Sequence, residues 1–454
     1  MYAGRLWLGS LGAACLILTS ACGDDDSPDT SGMNGDAGAL LDVGGSVDGG
    51  VDAGVADMGF EDAGAGCTVN ADCSGETPYC AAGGVCAAAP AGGALGWGDG
   101  TAQSVDFTEI HTSVRAQEAV DLEFNPGNTN ELWVVHRETY TDLPCGQSTG
   151  TSGCASLQGS TTTIFNPGAS DQTEEWVQDF NAWHFMRRPP AIAFGVPTTN
   201  GQYFATCGEA RTGNYLDDSA DFIGPTLWTS NPEIYRNWAQ AEWPTGWNGT
   251  HMDMLHATPF CVGIAHEADN VYWVVNGSNG ALDRYNFNED HGPGQEDHSD
   301  GEIYRFAEGT ITRVPNVPSH AVWHDGQLYV ADTGGSRVIS FSSVGASISG
   351  ALTPRYEPLA GAVTYTGGTV TEVVPAGNML VQPSGLEIHD GLMYVSDAMT
   401  SFIHAFDLSD GSLVRSLDTG LATGSLAGLA IGPNDGKLYF VDVPASKVVR
   451  IDPK

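Results

Sequence analysis

Lysine is nearly absent from this chain of 454 residues, occurring only as Lys437, Lys447 and Lys454. Lysine and arginine together number 17 against 56 aspartates and glutamates, a formal net charge of −39. Such a surface repels phosphate backbones and anionic headgroups, which excludes nucleic-acid partners and membrane binding through a basic patch. The chain also lacks a Gly-x-Ser-x-Gly elbow and any glycine loop built to cradle phosphate. A serine nucleophile of that kind and a nucleotide cofactor are therefore not expected. What it has instead is 60 glycines, 23 prolines and many short apolar runs, the composition of turns and strands rather than of a helical bundle.

A single cation, Arg5, precedes an apolar stretch from Leu6 to Leu18 that is short and glycine-rich, and it reads as a secretory signal. Leu18-Thr19-Ser20-Ala21-Cys22 resembles the lipobox of bacterial lipoproteins. The resemblance implies a signal over 1–22, lipidation at Cys22, and export to the outer membrane, the cell surface or the periplasm. The membrane would then be met only through the N-terminal lipid. Of ten cysteines, Cys15 leaves with the signal and Cys22 takes the lipid. The remaining eight group as Cys67, Cys73, Cys80 and Cys86, then Cys145 with Cys154, then Cys207 with Cys261. An even number in an exported chain predicts disulfides rather than a redox or zinc site.

Residues 23–66 are mostly Gly, Ala, Asp and Ser with no Lys or Arg, a disordered acidic tether. Residues 67–87 form a mini-module too small for a core of its own, so two bridges must staple it. Three pairings are open. Residues 88–103 read as a second linker.

From residue 104 to 454 one pattern recurs: an apolar run, a polar turn, then a run rich in Tyr, Val and Trp that usually ends in Asp or Asn. The six instances are 119–124 with 131–136, 191–194 with 202–206, 262–266 with 271–276, 320–324 with 327–332, 385–389 with 392–397, and 428–431 with 437–442. Third strands fit 337–341, 402–406 and 447–451, and fourth strands fit 369–374 and 413–417. Small sheets repeated in this way bury their faces only against each other, which predicts an all-β, six-bladed propeller. The last unit ends one strand short. Ser104–His111 alternates like a strand without a local partner and is expected to close the ring. Insertions fall at 142–160, 208–250, 286–300 and 343–368.

The segments SHAVWHDGQLYVADTGGSRVISF, SGLEIHDGLMYVSDAMTSFIHAF and AGLAIGPNDGKLYFVDVPASKVVRID resemble NHL-type propeller blades. AVDLEFNPGNTNELWVVHRET is similar to a blade of the peptidyl-hydroxyglycine amidating lyases, which bind zinc on the axis through one His from each of three blades. The resemblance implies a matching arginine at Arg137 and one ligand at His320. The other two ligand positions fall at Pro190 and near Ser384, so that zinc set is broken and its lyase chemistry is not implied.

Propeller sites form where loops converge on the axis, which nominates Arg137, Glu138, Arg188, Glu209 and Asn276 for binding. His251, Asp253 and His256, with His320 from the next blade, offer imidazole and carboxylate ligands for Zn²⁺. The insertion at 286–300 adds His291, His298 and Asp300, a set suited to Zn²⁺ or Ca²⁺. The leading expectation is a monomeric, exported propeller whose axial face binds a surface protein, peptide or glycan. The alternative is a metal-dependent lyase or hydrolase with a His-based site on the propeller axis, using His251, His256 and His320, with Arg137 or Arg188 stabilising an anion.

Overall fold

A computed structural model of the chain describes residues 66–454 apart from 69, 76, 82, 140–157, 214–221 and 296. Cys22 and its signal, the tether, and Cys145 with Cys154 lie outside the described residues. In the mini-module a short hairpin, β1 (Tyr79–Ala81) and β2 (Val85–Ala87), is stapled by Cys67–Cys80 and Cys73–Cys86. The two bridges interlace, which selects one of the three possible pairings.

Six four-stranded units follow. A strand from the start of the domain, β3 (Val105–Thr112), stands apart from its chain neighbours. Blade one is β4 (Ala116–Phe124), β5 (Glu131–Thr139), β6 (Ser160–Phe165) and β7 (Thr173–Val177). Blade two is β8 (Ile192–Thr198), β9 (Gly201–Thr206), β10 (Thr226–Thr229) and β11 (Asp253–Met254). Blade three is β12 (Cys261–Ala268), β13 (Val271–Asn276), β14 (Ala281–Asn286) and β15 (Glu302–Phe306). Blade four begins with β16 (Ala321–His324), β17 (Gln327–Asp332) and β18 (Arg337–Ser342). It is then interrupted by a hairpin, β19 (Ser347–Ala351) and β20 (Gly361–Thr366), before its outer strand β21 (Thr369–Val374). Blade five is β22 (Pro383–His389), β23 (Leu392–Asp397), β24 (Phe402–Asp407) and β25 (Leu413–Asp418). Blade six has β26 (Leu426–Ile431), β27 (Leu438–Asp442) and β28 (Lys447–Pro453), and its fourth strand is β3.

The closure predicted from the sequence is therefore present, one residue later than expected. Antiparallel pairing runs from Lys447 opposite Thr112 to Pro453 opposite Val105. The innermost strands β4, β8, β12, β16, β22 and β26 each pack on the next, and β26 returns to β4. Six apolar cores lie between the blades, one at each junction; Leu122, Val134, Val441 and Val448, for example, share the seam between blades six and one. Because both faces of each sheet are covered, the second strands read as continuous apolar runs, such as Val271–Asn276, which is buried throughout. The inner strands must approach closely, and glycine permits it: a Cβ on Gly385 would sit 2.1 Å from the Ala427 carbonyl oxygen. Cys207, just past β9, is bonded to Cys261 at the start of β12, joining blades two and three.

Two insertions carry more structure than their sequence suggests. The stretch 208–250 supplies β10, and Asp253–Met254 is the outer strand of blade two. The hairpin β19–β20 leaves blade four and adds to blade three, β20 pairing in parallel with β15 from Glu302 opposite Gly361 to Arg305 opposite Thr364. Among the described residues no helix is long and apolar enough to cross a membrane.

Candidate functional site

At the end where the inner strands begin, four of the five nominated axial residues meet. Arg137 leaves β5 with its side chain 1% exposed and lies 3.1 Å from Glu209, itself 1% exposed. Arg137 also donates to the Asn316 carbonyl oxygen at 2.8 Å. Arg313 donates to the same Glu209 carboxylate at 2.6 and 3.0 Å, and the Asn316 N–H donates to it at 2.9 Å. Arg188 pairs with Glu138 and donates to Asn316 Oδ1. Three arginines and their glutamates thus draw the loops of blades one to three into one charged network. Asn276 is not part of it. Its amide donates to Asp283 at 2.9 Å and accepts from the Ser278 and Asn279 N–H groups, which holds the turn after β13.

Behind this network a cavity of about 410 Å³ runs along the axis, lined by residues of all six inner strands. His320 stands in it, its Nδ1 3.4 Å from Asp121 and its Nε2 2.9 Å from the Pro190 carbonyl oxygen. Asp121 accepts from the Ile192 N–H at 3.0 Å, and Glu123 from the Phe194 N–H at 2.8 Å. Glu387 enters from blade five. Burial, and then the Asp121 charge, pushes the Glu387 carboxyl up to about 8. Burial also raises Glu123 well above the ordinary range, with Asp121 and Glu387 adding to the rise, and burial raises Asp121. The channel therefore holds three buried acids whose charged forms are disfavoured there, with His320 beside Asp121 as their neighbouring base. The sequence reading missed this trio. The available signal was an acid inside an otherwise apolar inner strand, as in AVDLEF and GLEIH.

The metal candidates divide between two places. His320 is axial, whereas His251, His256 and His298 line a separate cavity of about 260 Å³ with His184, Trp183, Tyr356 and Glu357. The expected site on the axis combining His251, His256 and His320 is not formed, because residues 251–256 run along and past the outer strand of blade two rather than toward the hub. Beside that cavity the insertion at 286–300 folds back so that ligand atoms of Asp253, His291 and Asp300 lie within 4.8 Å of one another. His291 Nε2 is 2.9 Å from Asp300, and Asp253 Oδ2 is buried without a hydrogen-bond partner.

No protein-family model and no curated protein matches the chain. Among solved structures it is similar to the luciferin-regenerating enzyme, at 11% identity over 77% of this chain and 95% of that one, TM-score 0.42. It is similar as well to an auxiliary nutrient binding protein from Bacteroides ovatus, at 10% identity over 77% and 76%, TM-score 0.43. A third is virginiamycin B lyase from Staphylococcus aureus, at 10% identity over 77% and 100%, TM-score 0.42. Likeness this remote carries no activity across. The class rests on the chain's own sheets: it is a six-bladed β-propeller.

Proposed function

We propose that this protein is an exported binding propeller that takes a positively charged group of its ligand into the axial channel. The ligand is a peptide, a protein segment or a glycan bearing an amine or guanidinium. The observation that carries the reading is the convergence of Asp121, Glu123 and Glu387 on the axis, where a cation would relieve the raised carboxyl of Glu387. Disulfides in the mini-module and between blades two and three support an oxidising compartment. Lipidation at Cys22 would hold the propeller at a membrane surface, and the chain acts as a monomer.

Titration calorimetry with the Nα-acetylated amides of lysine and arginine, against a neutral amide of similar size, tests the reading. Saturable binding of the cations alone, weakened in Glu387→Gln and tightening as pH rises through about 8, is expected. If neither cation binds the wild-type protein, the axial reading fails. A second reading, a metal-dependent lyase or hydrolase, is favoured by the histidine-lined cavity, which lies off the axis.

A further inference from the structure

The outer strand of blade two buries an acid that its surroundings satisfy only by half. Asp253 opens β11 with its side chain closed to solvent. One oxygen, Oδ1, accepts from the Met254 N–H at 2.6 Å and meets His298 Nδ1 at 2.7 Å. The other, Oδ2, is buried without a hydrogen-bond partner. Burial raises this carboxyl above the ordinary carboxylate range in spite of His298, so its charged form is disfavoured as it stands. A cation at Oδ2 would reverse that.

Two further donors reach the same place from another blade. The insertion between β14 and β15 of blade three folds back over β11 and is fastened there. Tyr203 of β9 donates its hydroxyl to Asp290. The Gly294 N–H donates to the His251 carbonyl oxygen at 2.7 Å, and the Asn248 N–H donates to the Gly294 carbonyl oxygen at 2.9 Å. Position 294 requires glycine, since φ is +67° and a Cβ would lie 2.7 Å from the Asn248 nitrogen. The two ends of the insertion are tied as well: Asn288 Nδ2 donates to the Asp300 carbonyl oxygen at 2.6 Å, and the Glu289 N–H donates to Asp300 Oδ2 at 3.1 Å. His291 Nε2 consequently stands 2.9 Å from Asp300 Oδ1, and ligand atoms of Asp253, His291 and Asp300 all lie within 4.8 Å of one another.

We propose that Asp253, His291 and Asp300 bind one divalent transition-metal ion of the zinc class, which cross-links blades two and three. The two carboxylates balance the double charge of the ion, and the imidazole selects against Ca²⁺ and Mg²⁺, which take oxygen ligands. Donors bound at about 2.0–2.2 Å in a tetrahedron stand roughly 3.4 Å apart, so loading draws no pair of these atoms together by more than about 1.5 Å. The ion takes the place of the proton that bridges His291 and Asp300, and that proton passes to solvent. Three protein ligands leave a fourth position for water. The cross-link lies at the outer strand of the junction that Cys207–Cys261 holds at the inner strand of blade three. It is separate from the axial channel and stands whether or not that channel binds a cation.

Metal content of the full chain, after loading with Zn²⁺ and removal of excess, tests the site. About one equivalent is expected in the wild-type protein, and less than about a fifth of that in His291→Gln and in Asp253→Asn. His291 is a partly exposed loop residue, so His291→Gln is expected to melt like the unloaded wild type. Added Zn²⁺ should then raise the melting temperature of the wild type and leave that of His291→Gln unchanged. His256→Gln, which alters the adjoining histidine-lined cavity, is expected to keep its zinc. Calorimetry with Ca²⁺ in place of Zn²⁺ should show no saturable binding. A wild-type protein that takes up no zinc would overturn the proposal. So would zinc retained in His291→Gln, zinc lost only in His256→Gln, or Ca²⁺ bound more tightly than Zn²⁺.

Discussion

Arg137 and Glu209 belong to different blades, and their side chains meet at 3.1 Å with almost no exposure. The pair is more than a local contact, because Glu209 also receives Arg313 from the link between blades three and four. One carboxylate is therefore shared by two guanidinium groups from separate parts of the ring, and Glu118, 3.8 Å from Arg137, supplies a second negative charge.

Removing that carboxylate strands buried charge. Glu209→Ala is expected to lower stability by about 3–5 kcal/mol, the range for breaking a buried ion pair on one side. Urea melts of wild type and variant measure it. A loss below about 1 kcal/mol would mean the arginines find other partners.

The closing strand gives a second prediction. Ile110 of β3 is 6% exposed and packs in the seam between blades six and one. Ile110→Ala is expected to cost about 2–5 kcal/mol, as for other buried isoleucines, even though the residue lies near the start of the domain. A melt indistinguishable from wild type would show that β3 does not fasten the ring.

Acid–base behaviour follows from Glu387. Its carboxyl is raised in the folded protein to about 8 from an ordinary 4.5, so folding favours the protonated form. The associated stability is full below about 4.5 and is lost as pH rises through about 8. Thermal melts should therefore show wild type falling further than Glu387→Gln between about pH 5 and about pH 9. Parallel curves would remove Glu387 as the source.

The bridge between blades two and three closes a separation of 54 residues. Replacing Cys207 and Cys261 together by alanine is expected to lower stability by about 4 kcal/mol on the chain-entropy estimate. Denaturant midpoints compared with the oxidised wild type test this.

Much of the ring was legible in the sequence because its strands are coded locally. Runs such as GQLYVAD and GLMYVSD carry apolar residues on both faces and end in a loop-capping aspartate, and Asp397 indeed accepts from four backbone N–H groups. The ring's closure was legible for a related reason, since a strand without a neighbour must find one elsewhere. Blade two was harder. Its outer strand is two residues long, too short for any alternation to show, so His251 and His256 read as a loop ahead of blade three. His184 was overlooked because a lone histidine beside Trp183 carries no spacing motif, and its partners come from Gly213 and from residues 256 and 298. Glu357 is set by the parallel pairing of β20 with β15, a contact between distant segments that periodicity does not encode. Asp121, Glu123 and Glu387 were visible as acids, but only the circular arrangement brings them face to face.

The hairpin carrying Glu357 also imposes an order in time. A ribosome delivers His184, His256 and His298 well before residue 357, and Glu357 is fixed only when β20 has found β15, after blade three exists and while blade four is still incomplete. The acceptor that orients His256 thus arrives about halfway round the ring, on a hairpin that interrupts the strands of blade four yet joins the sheet of blade three.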